Sequence, residues 1–128
     1  DVYKRQLQDR VVFTGHLDDV RPALAATDIL VHCALAEPFG RVLIEAMAME
    51  VPVVAFAQGA VPEIILDGQT GLLVETGGEE ALAKAVIELI REPERRRMMG
   101  MEGRKRVESF FSAELMVEKI MQTYSLLT

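Results

Sequence analysis

Hydrophobic and polar positions follow two rhythms along this chain. Short apolar runs come first: Val11-Val12-Phe13, ended by Thr14-Gly15, then Asp28-Ile29-Leu30-Val31-His32-Cys33, Val53-Val54-Ala55-Phe56 and Leu72-Leu73-Val74. Runs of this length, rich in β-branched residues and bounded by turn signals, predict four buried strands. Between the first two, Asp18 or Asp19 is suited to cap a helix carrying Val20, Ala23, Leu24 and Ala25, with Arg21-Pro22 in its first turn. From Gly40 to Glu50 only Arg41 and Glu45 interrupt an apolar run, the pattern of a buried helix, and Pro52 then opens the next strand. Gln58-Gly59-Ala60-Val61-Pro62-Glu63 predicts a glycine turn into a short helix, and Asp67-Gly68-Gln69-Thr70-Gly71 a turn before the last strand.

From Glu79 the period lengthens. Leu82, Ala85, Val86, Leu89 and Ile90 form one helical stripe ending near Pro93. A second helix is expected from Glu94 to Val107, and a third from Ser112 to Leu126 with Ser112 as N-cap and Leu115, Ile120 and Tyr124 as core contacts. Met98, Met99, Met101, Met116 and Met121 read as core filler. Strands alternating with helices predict an α/β fold, a parallel sheet with helices on its faces.

The chain has 128 residues, half of them apolar, enough for one globular domain and too few for two. A mean hydropathy of +0.18 argues against disorder. Fourteen basic against 20 acidic residues give a net charge of −6, which disfavours nucleic acid as a partner. The single cysteine, Cys33, can form no intramolecular disulfide and has no metal-site spacing around it, so a reducing, cytoplasmic setting and no metal are expected. No apolar run reaches the roughly 18 to 20 residues of a membrane span, and the N-terminus lacks signal-peptide features; peripheral contact with the inner membrane face stays compatible. Arg95-Arg96-Arg97 and Arg104-Lys105-Arg106 give the late helices a basic face interleaved with Glu92, Glu94, Glu102 and Glu108. This reads as a solvated face with i,i+4 pairs, with a membrane-surface patch as the other reading. Residues 1–6, Asp1-Val2-Tyr3-Lys4-Arg5-Gln6, match one frame of the transposon-end adapter of sequencing libraries, GAT GTG TAT AAG AGA CAG. They are expected to be an assembly scar, with fold reasoning starting at Leu7.

In a parallel α/β sheet ligands bind where strand ends lead into helix N-termini. The loops at Thr14 to Asp18, Ala34 to Gly40 and Phe56 to Val61 are the candidates. Glu37-Pro38-Phe39-Gly40 leaves a strand and enters the buried helix, whose free N–H groups and positive dipole end suit an anion such as phosphate. Gly40 allows close approach of the backbone to a ligand, and Arg41 adds a fork for phosphate oxygens. Glu45, in the second turn, needs a partner, and with Glu37 it can grip two parts of one extended, hydroxyl-bearing ligand. The bland alternative is a solvated Glu37 and a Glu45 that pairs with Arg41. Asp18-Asp19 reads as a helix cap rather than a metal site, and His32 and Cys33 as packing residues.

The stretch Glu37-Pro-Phe-Gly-Arg-Val-Leu-Ile-Glu45-Ala-Met-Ala resembles the E-x7-E signature of the group 1 glycosyltransferases, retaining enzymes of the GT-B fold that use nucleotide-sugar donors. Val11-x-Phe-x-Gly15, Asp28-Ile-Leu-Val, Pro52-Val-Val-Ala55, Gly59-x-x-Pro62-Glu63 and Asp67-Gly-x-Thr-Gly71-Leu-Leu-Val74 resemble its further landmarks, in order. The resemblance covers Leu7 to the C-terminus. It implies an incomplete Rossmann-like parallel sheet of four strands, with residues 7–128 a partial C-terminal nucleotide-sugar-binding domain. It further implies that Glu37, as the catalytic residue, contacts donor-sugar hydroxyls and that the backbone around Phe39, Gly40, Arg41 and Val42 meets sugar and diphosphate. Glu45 would hold the ribose, and Gly15 and His16 would lie near the base.

The donor would be a nucleotide-diphosphate sugar, with no cofactor and no donor-bound metal, and the acceptor a glycan or lipid-linked molecule held by an N-terminal domain absent from this chain. Two strand–helix units that begin the family's C-terminal domain are absent as well. In its strand order they lie between the Val11 strand and the others, so exposed edges and inactivity of the chain alone are expected. Glu50 stands where the family usually has a helix-closing glycine. A GT-B sugar-nucleotide epimerase and a receiver-like α/β domain are the alternatives, the latter disfavoured because no late Lys follows Val74.

Overall fold

The structure, a computed structural model, describes residues 6–127. The proposed scar falls almost wholly outside these. Three strands form one parallel sheet in the order β1-β2-β3: β1 (Leu30–His32), β2 (Val53–Phe56) and β3 (Gly71–Val74). Leu30 lies opposite Val53, and Val53 opposite Gly71. Helix α1 (Arg21–Ala25) precedes β1, α2 (Arg41–Ala48) joins β1 to β2, and α3 (Val61–Ile64) joins β2 to β3. Three helices close the chain: α4 (Glu79–Arg91), α5 (Pro93–Phe110) and α6 (Ala113–Leu127).

The central strand explains why its sequence is apolar throughout. All four residues of β2 are buried, Val53 and Ala55 in one cluster and Val54 in another. The first cluster holds Leu43, Ala46 and Met47 of α2, Val61 and Ile64 of α3, and Val107 of α5. The second holds Leu72, Ala85 and Leu89 of β3 and α4, with Met99 of α5. A strand covered on both faces loses the polar alternation of a half-solvated one. The Asp67-to-Gly71 turn is held by its own side chains: Thr70 Oγ1, buried, accepts from the Leu66 N–H at 2.9 Å, and Asp67 Oδ1 from the Leu73 N–H at 2.9 Å.

The expected fourth strand at Val11-Val12-Phe13 does not form. Extended backbone becomes a strand only by pairing, and the sheet ends at β1 with no described segment beside it. Val12 and Phe13 are consequently 84% and 93% exposed. The cap of α1 is also looser than expected: Val20 occupies the N-cap position, while Asp19 Oδ1 accepts from the Arg21 N–H at 3.0 Å.

At the end of α2, Glu50 takes the place of the expected glycine by adopting φ 60° itself. The N–H groups of Glu50 and Val51 then reach Met47 O and Ala46 O at 3.0 and 2.9 Å, a Schellman closure. A side chain in this left-handed conformation costs about 1 kcal/mol. Helix α5 crosses tightly here, since a Cβ at Gly100 would collide with the Glu50 carbonyl oxygen.

The basic residues of α5 are engaged in two ways. Arg97–Glu94, Lys105–Glu102 and Arg104–Glu108 form ion pairs three or four positions apart on the solvated face. Arg96 instead donates to Leu89 O and Ile90 O, and Arg106 to Ile64 O and Glu63 O at 2.7 and 2.8 Å, each closing a neighbouring helix end.

Helix α6 departs most from expectation. Ser112 does cap it, its Oγ accepting from the Leu115 N–H at 3.2 Å, but Ile120, Tyr124, Met116 and Met121 are exposed, as are Met98 and Ile90 on the preceding helices. Of the five methionines read as core, Met99 alone is buried; Met116 and Met121 lie on the face of α6 that no described element covers.

Candidate functional site

The loop between β1 and α2 carries the site. At its head the Glu37 carboxylate turns back onto the backbone: Oε1 accepts from the Gly40 N–H at 2.8 Å and from the Phe39 N–H at 3.2 Å. Oε2 stands 3.0 Å from Nε2 of His32, the last residue of β1. These donors, first Gly40, then Phe39 and then His32, hold the carboxyl below the ordinary glutamate range. Glu37 is therefore a fixed anion and not a freely solvated side chain.

The next loop holds this one in place. Glu37 O accepts from the Ala60 N–H at 2.9 Å, and Gln58 Nε2 donates to Ala34 O at 2.7 Å. Gly59, at φ 55°, passes so close that a Cβ would collide with Glu37 O. The glycine of the Gly59-x-x-Pro62-Glu63 stretch is required by this crossing of two loops.

Gly40 is the N-cap of α2 at φ 67° and is buried. A Cβ there would meet Ile64 Cδ1, so its small size serves packing against α3. The amides of Phe39 and Gly40 are occupied by Glu37, while those of Arg41 and Val42 have no acceptor among the described residues. Two free N–H groups at a helix N-terminus make a cradle for an anion. The Arg41 side chain beside them is exposed and unpaired among the described residues, and Phe39 is exposed. Glu45, one turn further along α2, is half-buried and has neither the Arg41 pairing nor any other hydrogen bond or ion pair among the described residues.

Glu37, Phe39, Gly40, Arg41, Val42 and Glu45 thus share one loop–helix unit. Gly15 and His16 belong to the exposed segment before α1; His16 lies 3.4 Å from Asp18, and no hydrogen bond ties either residue to the Glu37 loop. His32 was not expected here. A lone histidine at the carboxyl end of a parallel strand is the signal that points to it, since that is where such sheets bind ligands. Cys33, expected to pack, is exposed. Among the described residues no group of three or more His, Cys, Asp or Glu is placed to hold a metal, and no helix is long and apolar enough to cross a membrane.

Comparison with known proteins identifies the family. The family model for glycosyl transferases group 1 matches residues 1–106. N-acetyl-alpha-D-glucosaminyl L-malate synthase of Bacillus anthracis is 37% identical over 118 residues, 92% of this chain and 31% of the relative. Sucrose-phosphate synthase from Thermosynechococcus elongatus superposes with a TM-score of 0.91 at 36% identity, over 98% of this chain and 32% of that one. HepE of Anabaena, solved in complex with UDP, superposes with a TM-score of 0.91 at 29% identity, over 97% of this chain and 34% of that one. The same protein has been solved with UDP-glucose. The chain spans about a third of the length of these relatives. A receiver-like reading of the α/β alternation falls with these matches. From the Glu37-to-Glu45 unit to the Asp67-to-Gly71 turn, and by a family match over most of its length, the chain belongs to the group 1 glycosyltransferases.

Proposed function

We propose that residues 7–128 are the donor-binding portion of a glycosyltransferase that moves a sugar from a nucleoside diphosphate to a hydroxyl acceptor with retention of anomeric configuration. The observation that carries this reading is the pairing, on one helix, of two free N–H groups at Arg41 and Val42 with the unpartnered carboxylate of Glu45. The amides and the Arg41 guanidinium would receive the diphosphate, and Glu45 would accept from the ribose hydroxyls one turn away. Glu37 would accept from a donor-sugar hydroxyl and orient the anomeric carbon. As the bond to the leaving diphosphate breaks, negative charge gathers on its oxygens, where preset N–H dipoles stabilise it without reorganising. Gly15 and His16 would lie toward the base. HepE, complexed with UDP and UDP-glucose, supports a donor of this class. The acceptor, a glycan or lipid-linked molecule, would be held by a further lobe of a longer polypeptide acting in the cytoplasm, with room for contact at the inner membrane face and no cofactor.

The test is calorimetric titration of the complete gene product with UDP, GDP, ADP and their hexose conjugates. One nucleotide should bind, and Glu45→Ala should weaken it at least tenfold, as expected for a hydrogen bond to a charged group worth about 1.5–3 kcal/mol. Binding of none to folded protein, or equal binding by Glu45→Ala, overturns the reading.

A further inference from the structure

His32 and Glu37 are both largely enclosed, with side chains 12% and 19% exposed, and meet at 3.0 Å. A carboxylate only accepts, so the shared proton belongs to Nε2 of the imidazole. Nδ1 is buried and has no hydrogen-bond partner. In the neutral ring these partners assign the Nε2–H tautomer, with the Nδ1 lone pair unmet. An unmet buried nitrogen is unfavourable, and a leucine would fill the same place without one. The imidazole at this position therefore has a use other than filling space, and its one hydrogen bond goes to Glu37.

The acceptor capacity of Glu37 shows what that use is. A carboxylate offers roughly four lone-pair directions. Gly40 and Phe39 N–H groups occupy both on Oε1, and His32 takes one on Oε2. One direction is left. The main chain cannot shift to open another, because Glu37 O is bound by the Ala60 N–H and Gly59 packs against it.

We infer that His32 is a positioning residue for the donor sugar: by pinning Oε2 of Glu37 it restricts that carboxylate to one further hydrogen bond, in one direction, so that a single sugar hydroxyl is recognised. This rests on Glu37 being the sugar contact. Without His32, the lone-pair direction it occupies on Oε2 would be open to water or to a second hydroxyl.

The experiment measures how much the sugar adds to nucleotide affinity. In the complete gene product, affinities are compared for UDP against UDP-glucose, GDP against GDP-mannose and ADP against ADP-glucose, and the pair that the unaltered protein binds is carried forward. Glu37→Ala and His32→Leu should each cut the conjugate-to-nucleotide affinity ratio at least tenfold, His32→Leu while leaving affinity for the nucleotide alone within twofold. His32→Gln, whose amide can donate to Oε2, should restore most of the ratio. In the unaltered protein, nitrogen-15 spectra of the imidazole should show a protonated Nε2 and a bare Nδ1 in the neutral ring. If Glu37→Ala lowers the ratio and His32→Leu does not, the positioning role is wrong and the donor-site reading stands. If Glu37→Ala leaves the ratio intact, or no pair binds to folded protein, the reading of Glu37 fails and the role of His32 with it. A His32→Leu protein that loses nucleotide affinity in parallel, or a ring protonated on Nδ1 alone, equally overturns the inference.

Discussion

Glu37 spends its charge on the chain before any ligand arrives. Its carboxyl is held below the ordinary glutamate value of 4.5, chiefly by the Gly40 and Phe39 N–H groups and then by His32. A depressed acid contributes stability that is fully present above its unfolded pKa and is lost as pH falls through the folded one. Urea midpoints of the complete gene product and its Glu37→Gln variant are therefore expected to differ by a constant amount above about pH 5 and to converge below pH 4.5. A gap that widened toward low pH would contradict the assignment of these hydrogen bonds. Glu37 and Glu45 are singled out in the sequence by the resemblance to an E-x7-E signature; the residue pattern alone leaves open a solvated Glu37 and a Glu45 paired with Arg41. The role of His32 is not legible there, because its bond to Glu37 closes across four intervening loop residues whose path no periodicity encodes. The same holds for Gly40, where the sequence announces a need for glycine but not that the Ile64 side chain stands where a Cβ would go.

Helix α5 separates two meanings of glycine within one turn. Gly100 has its missing Cβ aimed at the Glu50 carbonyl, a backbone atom that cannot move aside; Gly103 has Met47 side-chain atoms at 3.5 Å, an ordinary contact. Gly100→Ala is expected to destabilise by about 1–3 kcal/mol through overpacking. Gly103→Ala should be neutral or stabilising by up to about 1 kcal/mol, since alanine is the better helix former. Denaturant midpoints of the two variants in the complete gene product decide it, and equal effects would show that α5 does not cross α2 this closely. Strands β2 and β3 and helices α2, α4 and α5 could be placed from the sequence, because each buries a face whose period is intrinsic. The Val11 strand and the core contacts of α6 could not, because apolar residues declare a wish to be covered without saying whether anything covers them. Val12, Phe13, Ile120 and Tyr124 are the residues where that distinction shows.

Taken as one body, the chain is a sheet open at both edges, with apolar surface on the segment before α1 and along α6. Between α2 and α6 lies a cavity of about 690 Å³ bordered by Ile44, Phe110, Phe111, Met116 and Ile120. An unpaired edge strand beside exposed apolar side chains is a template for association. The isolated 128-residue chain is expected to self-associate or unfold with low cooperativity, read by sedimentation and urea titration; a cooperatively unfolding monomer at high concentration would refute this. The site sits near that open edge, on the loop leaving β1, yet it is braced from the sheet's centre through Ala60 and Gln58, which follow β2. Those two hydrogen bonds make the paired loops a rigid lever with its fulcrum in the β1–β2 register. A slip of β1 along β2 would not be absorbed in the turn but would swing the Glu37 carboxylate, so on the proposed donor-site reading the mechanical stiffness of two short strands would set how accurately a sugar is aimed.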